Sequence, residues 1–419
     1  MRALTALTAV ALAAVAATRA DGFLNQSVAG TDAFTEVAAS TTTTATTKSR
    51  PSPPSTIEAP PPTTATSTTV ELIVPTVPAR PAPPMADADF SRFDYQLATS
   101  LRGAQAISIA VAQDGQVIHT FASGYAEPTS TGYNDLATPD SRFRIASNSK
   151  TITSIVVLQL VESGKLGLDD PVLQRIADRL GVGLASEQMN QVTVRQLLMH
   201  RSGFAEKFEV FFRGGAYSCE EAARRGLTEG LSHGLGQMEY SNMNYCLLGL
   251  LIEDVTQLAY ERVVDEQLLK PLGITGMRTA KTHDVQPGDI RHVSGDLRDY
   301  MEALGGAGAW IATASDLVKI VDSLDPSKPG WHPLGPEMAM QMYAPPSGSA
   351  GNWSQWYGLG LRCWGDGSWG HTGTVESSRS MMLHRPDGIT WAVVAAGNTP
   401  YETDDLRRHV DAAFAAIGM

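Results

Sequence analysis

The chain is poor in cysteine and has no clustered positive charge. Three of its 419 residues are cysteines, Cys219, Cys246 and Cys363. They allow one disulfide, conceivably between Cys219 and Cys246, with one free thiol, or they are simply three buried small apolar groups. Lys and Arg total 32 against 44 Asp and Glu, a net charge of -12. Since no run of basic residues could follow a phosphate backbone, we expect no nucleic-acid partner.

Spacings typical of metal sites are also missing among the nine histidines. His200, His283, His292 and His371 form neither a His-x-His pair nor a His-Glu-x-x-His motif. The sequence therefore predicts no metal site, and nothing in it calls for another cofactor.

A hydrophobic run occurs at the N-terminus. Arg2 precedes an Ala-, Leu- and Val-rich stretch over residues 3–17, and small residues continue to Ala20. This pattern predicts a secretory signal peptide over residues 1–20, removed before Asp21. A buried or membrane helix is the alternative, but the stretch is short and polar sequence follows it. We expect a secreted or periplasmic protein with no membrane span after signal removal.

Residues 21–86 are dominated by Thr, Ser, Pro and Ala, as in the runs 41–44 and 51–54. Such composition offers few groups for a core, and its prolines favour extended backbone. We predict a disordered linker there and a single globular domain over residues 87–419.

Apolar strands joined by tight turns predict a β-hairpin near each end of the globular part, at Asp114-Gly115 and at Pro386-Asp387-Gly388. Between them the periodicity is mostly helical, with a helical insertion over about 146–290. We expect an α/β (α+β) fold: an antiparallel sheet flanked by helices, an all-helical subdomain, and a cleft between them. The predicted strands are 107–113, 116–122, 381–384 and 389–396, and the predicted helices are 152–162, 194–199, 244–258, 260–269 and 406–417.

The string Ser147-Asn148-Ser149-Lys150 opens the first long apolar helix. A spacing of three places Ser147 and Lys150 on one helix face, with Ser147 near the positive end of the helix dipole. A serine hydroxyl needs a base, and a buried lysine with a lowered pKa can serve as one. Taken alone, the same string is more typical of a helix start with a surface lysine.

Two further strings follow in the chain, Tyr240-Ser241-Asn242 and His371-Thr372-Gly373. Tyr240 could shuttle a proton to a leaving group and Asn242 could orient a substrate amide, or the two could be a buried tyrosine and a helix cap. The third string lies among glycines and reads alone as a turn entering a strand. In this order, the three strings supply a nucleophile, proton acceptors and a backbone edge for an oxyanion.

A competing motif, Gly230-Leu231-Ser232-His233-Gly234, matches the nucleophile elbow of α/β-hydrolases. That elbow needs a strand before it and a helix after it. Here residues 220–225 look helical and residues 236–239 do not, so we predict a glycine-rich loop.

From about Asp87 onward the chain resembles the serine β-lactamase and penicillin-binding protein superfamily, especially its class C-like branch of DD-peptidases, β-lactamases and esterases. The likeness rests on the three strings and on further segments. These are Phe143-Arg144-Ile145-Ala146, residues 166–170 (LGLDD), 196–203 (QLLMHRSG), 245–249, 271–273 (PLG) and 312–317 (ATASDL).

The resemblance implies that Ser147 is acylated, that Lys150 and Tyr240 transfer protons, and that Asn242 contacts the substrate amide. No motif for a glutamate-activated water is found, so deacylation would rely on Tyr240 and Lys150. Backbone N–H groups of Ser147 and Thr374 would form the oxyanion hole.

The remaining implied contacts lie around the third string. His371 stands where many relatives have lysine and would supply hydrogen bonding and partial positive charge. Thr372 and Thr374 would contact substrate. Arg362 resembles the arginine that receives the substrate carboxylate in secreted DD-carboxypeptidases, although a solvated strand residue is an equal alternative.

Two hypotheses remain. The first is an exported hydrolase that acylates Ser147 with a peptide, β-lactam or ester carbonyl of a small-molecule or peptide substrate. The second is a catalytically degenerate binding or scaffold module that keeps the fold. The intact Ser147, Lys150, Tyr240 and His371 favour the first.

Overall fold

The computed structural model describes residues 82–85, 88–127, 135–292, 299–345, 354–399 and 402–419. Within these residues, seven strands form an antiparallel sheet in the order β2-β1-β10-β9-β8-β7-β6. The first and last long strands are therefore neighbours, which confirms a sheet built from both ends of the chain. The strands are β1 (Ala104–Gln113), β2 (Gln116–Gly124), β6 (Gln355–Tyr357), β7 (Arg362–Trp364), β8 (Trp369–Val375), β9 (Ser378–His384) and β10 (Ile389–Gly397).

Alternation along the central strands gives the sheet two buried faces. In β1, Ile107, Ile109 and Val111 pack on one face, while Ala106 and Ala110 pack on the other. Side chains of a strand point alternately to opposite faces, so each face needs its own cover. The face with the large aliphatic residues is covered by α1 (Ser91–Ser100) and α12 (Thr403–Ala416).

The other face packs against the helical part of the chain, which carries the larger of the two apolar cores. A small antiparallel sheet of β3 (Phe143–Arg144), β5 (Trp310–Ala312) and β4 (Arg278–Thr279) lies in the same region of the chain. The helices are α2 (Ser149–Glu162), α3 (Leu173–Leu180), α4 (Val194–Leu198), α5 (Phe208–Phe212), α6 (Cys219–Glu229), α7 (Asn242–Thr256), α8 (Tyr260–Val264), α9 (Tyr300–Leu304), α10 (Ala314–Asp322) and α11 (Pro336–Tyr343).

The helical region extends beyond its predicted end at about residue 290, because α9, α10 and α11 precede strand β6. Packing also begins earlier than residue 87, since Met85 is buried and its N–H donates to Gln113 Oε1 at 2.8 Å. The predicted signal peptide and the linker up to residue 81 lie outside the described residues. Among the described residues, none of the helices combines the length and the hydrophobicity of a membrane-spanning segment.

Two of the three cysteines form a disulfide and the third is a free thiol. Cys219 at the start of α6 forms a disulfide with Cys246 in α7, with Cα atoms 5.6 Å apart. Cys363 is a free thiol buried in strand β7. The disulfide joins α6 to the helix whose first turn carries Asn242.

We predict that the double variant Cys219→Ser/Cys246→Ser loses about 3 kcal/mol of unfolding free energy, because the bond closes a loop of 27 residues in the unfolded chain. Denaturant unfolding of the oxidised protein and the variant measures this loss. Cys363→Ser serves as the control for removal of a cysteine outside the bond. Equal stability of the oxidised protein and the double variant would show that the bond contributes nothing.

Candidate active site

Ser147 lies in a 3-10 turn, Ala146–Asn148, just before α2, rather than in the first turn of the α-helix itself. Ala146 has a φ of 47°, a left-handed conformation that a residue with a Cβ adopts only under constraint. The turn is tied to strand β9, because Ser380 Oγ donates to the Ile145 carbonyl and accepts from Asn148 Nδ2, both at 2.8 Å. These bonds hold the Ser147 backbone in place.

Strand β8 passes close to this turn at Gly373. A Cβ added there would lie 2.2 Å from the Ile145 carbonyl oxygen, a contact that side chains do not tolerate. Only glycine therefore lets β8 approach the residues that precede Ser147. The third string is thus part of a strand beside the serine and not merely a turn.

Lys150 is fully buried and its amine faces Ser147. Nζ lies 3.0 Å from Ser147 Oγ, 2.7 Å from Asn242 Oδ1 and 2.9 Å from the Ala307 carbonyl oxygen. Burial lowers the pKa of Lys150 to about 7, and the negative charge of Glu206 opposes that shift. An amine with this pKa is available as a base near neutral pH.

Tyr240 lies against the same pair. Its ring centroid is 5.0 Å from Lys150 Nζ. Burial raises the pKa of Tyr240 well above its usual value, and a hydrogen bond with the Ser147 side chain opposes this effect. The phenol therefore stays protonated near neutral pH and can pass a proton without carrying a lasting negative charge.

His200 accepts hydrogen bonds from the residues immediately before and after Tyr240. The His200 carbonyl accepts the Glu239 N–H at 2.8 Å, and His200 Nδ1 accepts the Ser241 N–H at 3.1 Å. Its ring packs on the Tyr240 ring with centroids 4.3 Å apart. His200 itself is fully buried and has a φ of 56°. It positions the tyrosine, a role that the sequence did not reveal.

Asn242 connects Lys150 to a half-buried acid, Glu206, that no sequence motif indicated. Its Oδ1 accepts from Lys150, while its Nδ2 and its backbone N–H donate to Glu206 at 3.0 and 2.7 Å. Burial raises the pKa of Glu206, and hydrogen bonds from Asn242 oppose the shift. Glu206 lies in an irregular segment before α5, so neither periodicity nor spacing pointed to it.

A cavity of about 360 Å³ opens beside Ser147. Ser147, Tyr240, Asn242 and Thr374 line it, as does Glu206. Ser147 and Thr374 thus border one space, and the role of their backbone N–H groups as oxyanion donors stays a prediction. The other lining residues are Ala146, Phe208, Phe212, Tyr300, Leu304, Gly308, Val375 and Glu376.

His371 does not face this cavity as a cation. It is 1% exposed, its Nδ1 lies 2.6 Å from the Thr372 carbonyl oxygen, and its Nε2 lies 2.9 Å from the Tyr357 hydroxyl. A carbonyl only accepts, so Nδ1 carries the proton and Nε2 accepts from Tyr357. Burial, helped by Lys150, lowers the pKa of His371 to about 3. The expected partial positive charge is therefore wrong, and His371 supports the strand as a neutral ring.

Arg362 and Thr372 are paired with each other. Arg362 Nη1 donates to Thr372 Oγ1 at 2.8 Å and to Asp404 Oδ1 at 3.2 Å. Neither residue lines the cavity beside Ser147. The guanidinium charge is offset by Asp404, so the structure does not place Arg362 as the receiver of a substrate carboxylate.

The competing nucleophile-elbow motif over residues 230–234 lies outside this site. Ser232 lies in an exposed loop directly after α6, with no strand before it, and its N–H donates to the Gly203 carbonyl at 2.9 Å. This confirms the predicted glycine loop. In the described ranges, no group of three or more His, Cys, Asp or Glu side chains could hold a metal ion.

Comparison with known proteins places this geometry in a family. The Beta-lactamase family matches residues 96–416, most of the chain. The chain belongs to the beta-lactamase family. Protein flp of Staphylococcus aureus strain N315 is 31% identical over 186 residues, which are 42% of this chain and 35% of flp. The putative penicillin-binding protein PbpX of Bacillus subtilis strain 168 is 25% identical over 221 residues, 51% of this chain and 53% of PbpX. The chain thus spans about a third to a half of these relatives.

Solved structures agree on the fold. The crystal structure of SurE superposes with a TM-score of 0.62 at 25% identity, covering 79% of this chain and 75% of SurE. The D-amino acid amidase from Ochrobactrum anthropi SV3, complexed with L-phenylalanine, superposes with a TM-score of 0.61 at 25% identity, covering 78% of this chain and 98% of the amidase. These matches confirm the fold class predicted from the sequence.

Proposed function

We propose that this protein is an exported serine hydrolase that forms a covalent acyl-enzyme on Ser147 with a peptide, amide, β-lactam or ester carbonyl. The observation that carries the proposal is the 3.0 Å contact between Lys150 Nζ and Ser147 Oγ at the wall of an open cavity. Export rests on the N-terminal sequence alone. The amidase and penicillin-binding neighbours both fit attack on an acyl carbonyl.

Acylation follows from the positions of three side chains. Neutral Lys150 takes the Ser147 hydroxyl proton as Oγ bonds to the carbonyl carbon, and the backbone N–H groups of Ser147 and Thr374 bind the oxyanion. As the carbon–leaving group bond breaks, Tyr240 donates its proton to the leaving group and is reprotonated by Lys150. Water then repeats the sequence on the ester, with Tyr240 and Lys150 as the proton acceptors.

The second hypothesis, a scaffold module that keeps the fold without catalysis, finds little support in this arrangement. Burying an amine costs free energy unless it is compensated, and Lys150 stays fully buried with three acceptors around it. Such a feature is typical of functional sites rather than of a binding surface.

Hydrolysis of three substrates tests the proposal: a D-Ala-D-Ala peptide, a chromogenic cephalosporin and a short-chain nitrophenyl ester. We expect turnover of at least one of them, with a loss of about 10⁵-fold or more in Ser147→Ala. Ser232→Ala, which removes the serine of the competing motif, is the matched control and keeps full activity. Turnover that survives in Ser147→Ala would reject the proposal.

A further inference from the structure

The Cys219–Cys246 disulfide packs behind the turn that supports the Lys150 amine. Cys219 is half-buried and lies against Gly305, where an added Cβ would be 2.9 Å from Cys219 Cβ and 3.3 Å from its Sγ. Gly305 follows α9 and begins a 3-10 turn that ends at Ala307. The Ala307 carbonyl accepts from Lys150 Nζ at 2.9 Å. The disulfide therefore packs on the same turn that holds the amine.

The other half of the disulfide belongs to the helix that carries the second acceptor of this amine. Cys246 is fully buried in α7, one turn after Asn242, whose Oδ1 accepts from Lys150 at 2.7 Å. The same helix packs on the turn, because a Cβ added at Gly306 would lie 2.8 Å from the Tyr245 carbonyl oxygen. The disulfide thus braces both elements that supply acceptors to the amine.

The position of the Lys150 amine depends on these neighbours. Its hydrogen-bond partners are three uncharged oxygen atoms: Ser147 Oγ and the acceptors on α7 and on the turn. To take the serine proton, Nζ must stay within hydrogen-bond distance of Ser147 Oγ, from which it lies 3.0 Å. A displacement of about 1 Å at such a contact can cost up to about 100-fold in rate. Small movements of α7 or of the turn are therefore expected to slow acylation without unfolding the protein.

Resting on the proposed acyl-enzyme function, we propose that the Cys219–Cys246 bond controls the acylation rate by holding the turn 305–307 and helix α7 against Lys150. In the oxidised protein, the bond fixes both acceptors and the amine faces Ser147 Oγ. In the reduced protein, α6 is no longer tied to α7, the acceptors shift, and acylation slows. The two cysteines are positioning residues, since the described lining of the cavity contains neither of them.

Reduction of the bond requires a thiol reductant that reaches Cys219, the more exposed of the two cysteines. A dithiol such as dithiothreitol attacks the disulfide, two electrons and two protons pass to the cysteine sulfurs, and the dithiol closes to a cyclic disulfide. Both cysteines then carry thiols. Because the cytosol keeps thiols reduced while disulfides persist in oxidising compartments, acylation would be slow before export and fast after it.

The test measures the rate at which an uncharged fluorophosphonate labels Ser147 in the oxidised protein, in protein reduced with dithiothreitol, and in Cys219→Ser/Cys246→Ser. We expect both proteins that lack the bond to react about tenfold more slowly than the oxidised protein. Circular dichroism establishes that each is folded, and reoxidation of the reduced protein restores the rate. Cys363→Ser keeps the disulfide, so it labels at the wild-type rate and responds to reduction as the wild type does.

Three further variants separate an effect on the Lys150 amine from general loosening of the fold. Gly305→Ala keeps the bond but pushes the turn away from Cys219, and is expected to slow acylation about tenfold. Gly181→Ala is the matched control, because Gly181 also has a positive φ, 65°, and an added Cβ meets no atom within 4 Å. It labels at the wild-type rate. In Lys150→Met, which lacks the amine, loss of the disulfide changes the residual rate by less than about twofold.

Equal labelling rates in the oxidised and the reduced protein would overturn the redox control and leave the acyl-enzyme function standing. A loss of about tenfold that persists in Lys150→Met would also reject the proposal, because the bond would then act on the cavity and not through the amine. If the reduced protein unfolds, Gly305→Ala decides, since that variant keeps the bond. If Ser147 of the oxidised wild type is not labelled at all, the proposed function and the redox control are both rejected.

Discussion

Replacing Lys150 with Met is expected to slow acylation of Ser147 by about 10⁴-fold. Met fills a similar volume in the buried position but removes the amine 3.0 Å from Ser147 Oγ. With no base in contact, the serine hydroxyl keeps its proton and is a poor nucleophile. The measurement is the pseudo-first-order rate of labelling by an activated ester or a fluorescent penicillin.

The control for this variant is Lys165→Met, which removes an exposed lysine just after α2. It is expected to label at the wild-type rate. Circular dichroism establishes that Lys150→Met is folded. A folded Lys150→Met that acylates within tenfold of wild type would show that another group is the base.

The pH dependence of the acylation rate tests independently whether Lys150 is the base. The pKa of about 7 means that the amine is mostly protonated below pH 7 and mostly neutral above it. Because the neutral form is the base, the acylation rate should rise with pH through about 7 and then level off. In Lys150→Met this rise disappears.

Replacing Tyr240 with Phe is expected to lower turnover by about 10³-fold. The ring stays packed on His200, so the backbone around residue 240 is retained and the loss reports the hydroxyl. Since proton delivery to the leaving group is removed, the effect is larger for amides, whose nitrogen must be protonated, than for a nitrophenyl ester. Steady-state rates on one amide and one nitrophenyl ester measure this difference.

Tyr95→Phe, which removes a hydroxyl from a 74% exposed ring on α1, is the matched control. It should retain wild-type rates on both substrates. Equal, small losses on both substrates in Tyr240→Phe would exclude a role for the phenol in proton transfer.

Regular elements with strong periodicity were predictable from the sequence. The hairpin strands at 107–113 and 116–122 appear as β1 and β2, and the helix expected at 152–162 is α2 with one more turn at its start. β1 and α2 are buried along most of their length, and their long apolar runs match that burial, so local sequence and tertiary packing agree.

Strand β8 and the small sheet were harder to predict, for identifiable reasons. β8 contains Gly370 and Gly373, which read as turn residues but are required because other backbone lies too close for a side chain. β3 and β4 have two residues each, too few to show alternation. Helix α1 also went unpredicted, although it covers one face of the sheet with α12.

The residues of the candidate site also separate into those that the sequence could predict and those that it could not. Ser147, Lys150, Tyr240 and Asn242 could be named because motif order identified them, and the structure brings them together. The neutral state of His371 could not be predicted, because it depends on burial and on a hydrogen bond with Tyr357, a strand residue 14 positions earlier. Glu206 could not be predicted either, because its role depends on the contact between the segment before α5 and Asn242 in the first turn of α7.

Peptide mapping by mass spectrometry after treatment with an uncharged fluorophosphonate tests the central claim most directly. The account predicts one adduct per chain, on the Ser147 hydroxyl, and none on Ser232. An adduct on another residue, or stoichiometric labelling that persists in Ser147→Ala, would contradict it.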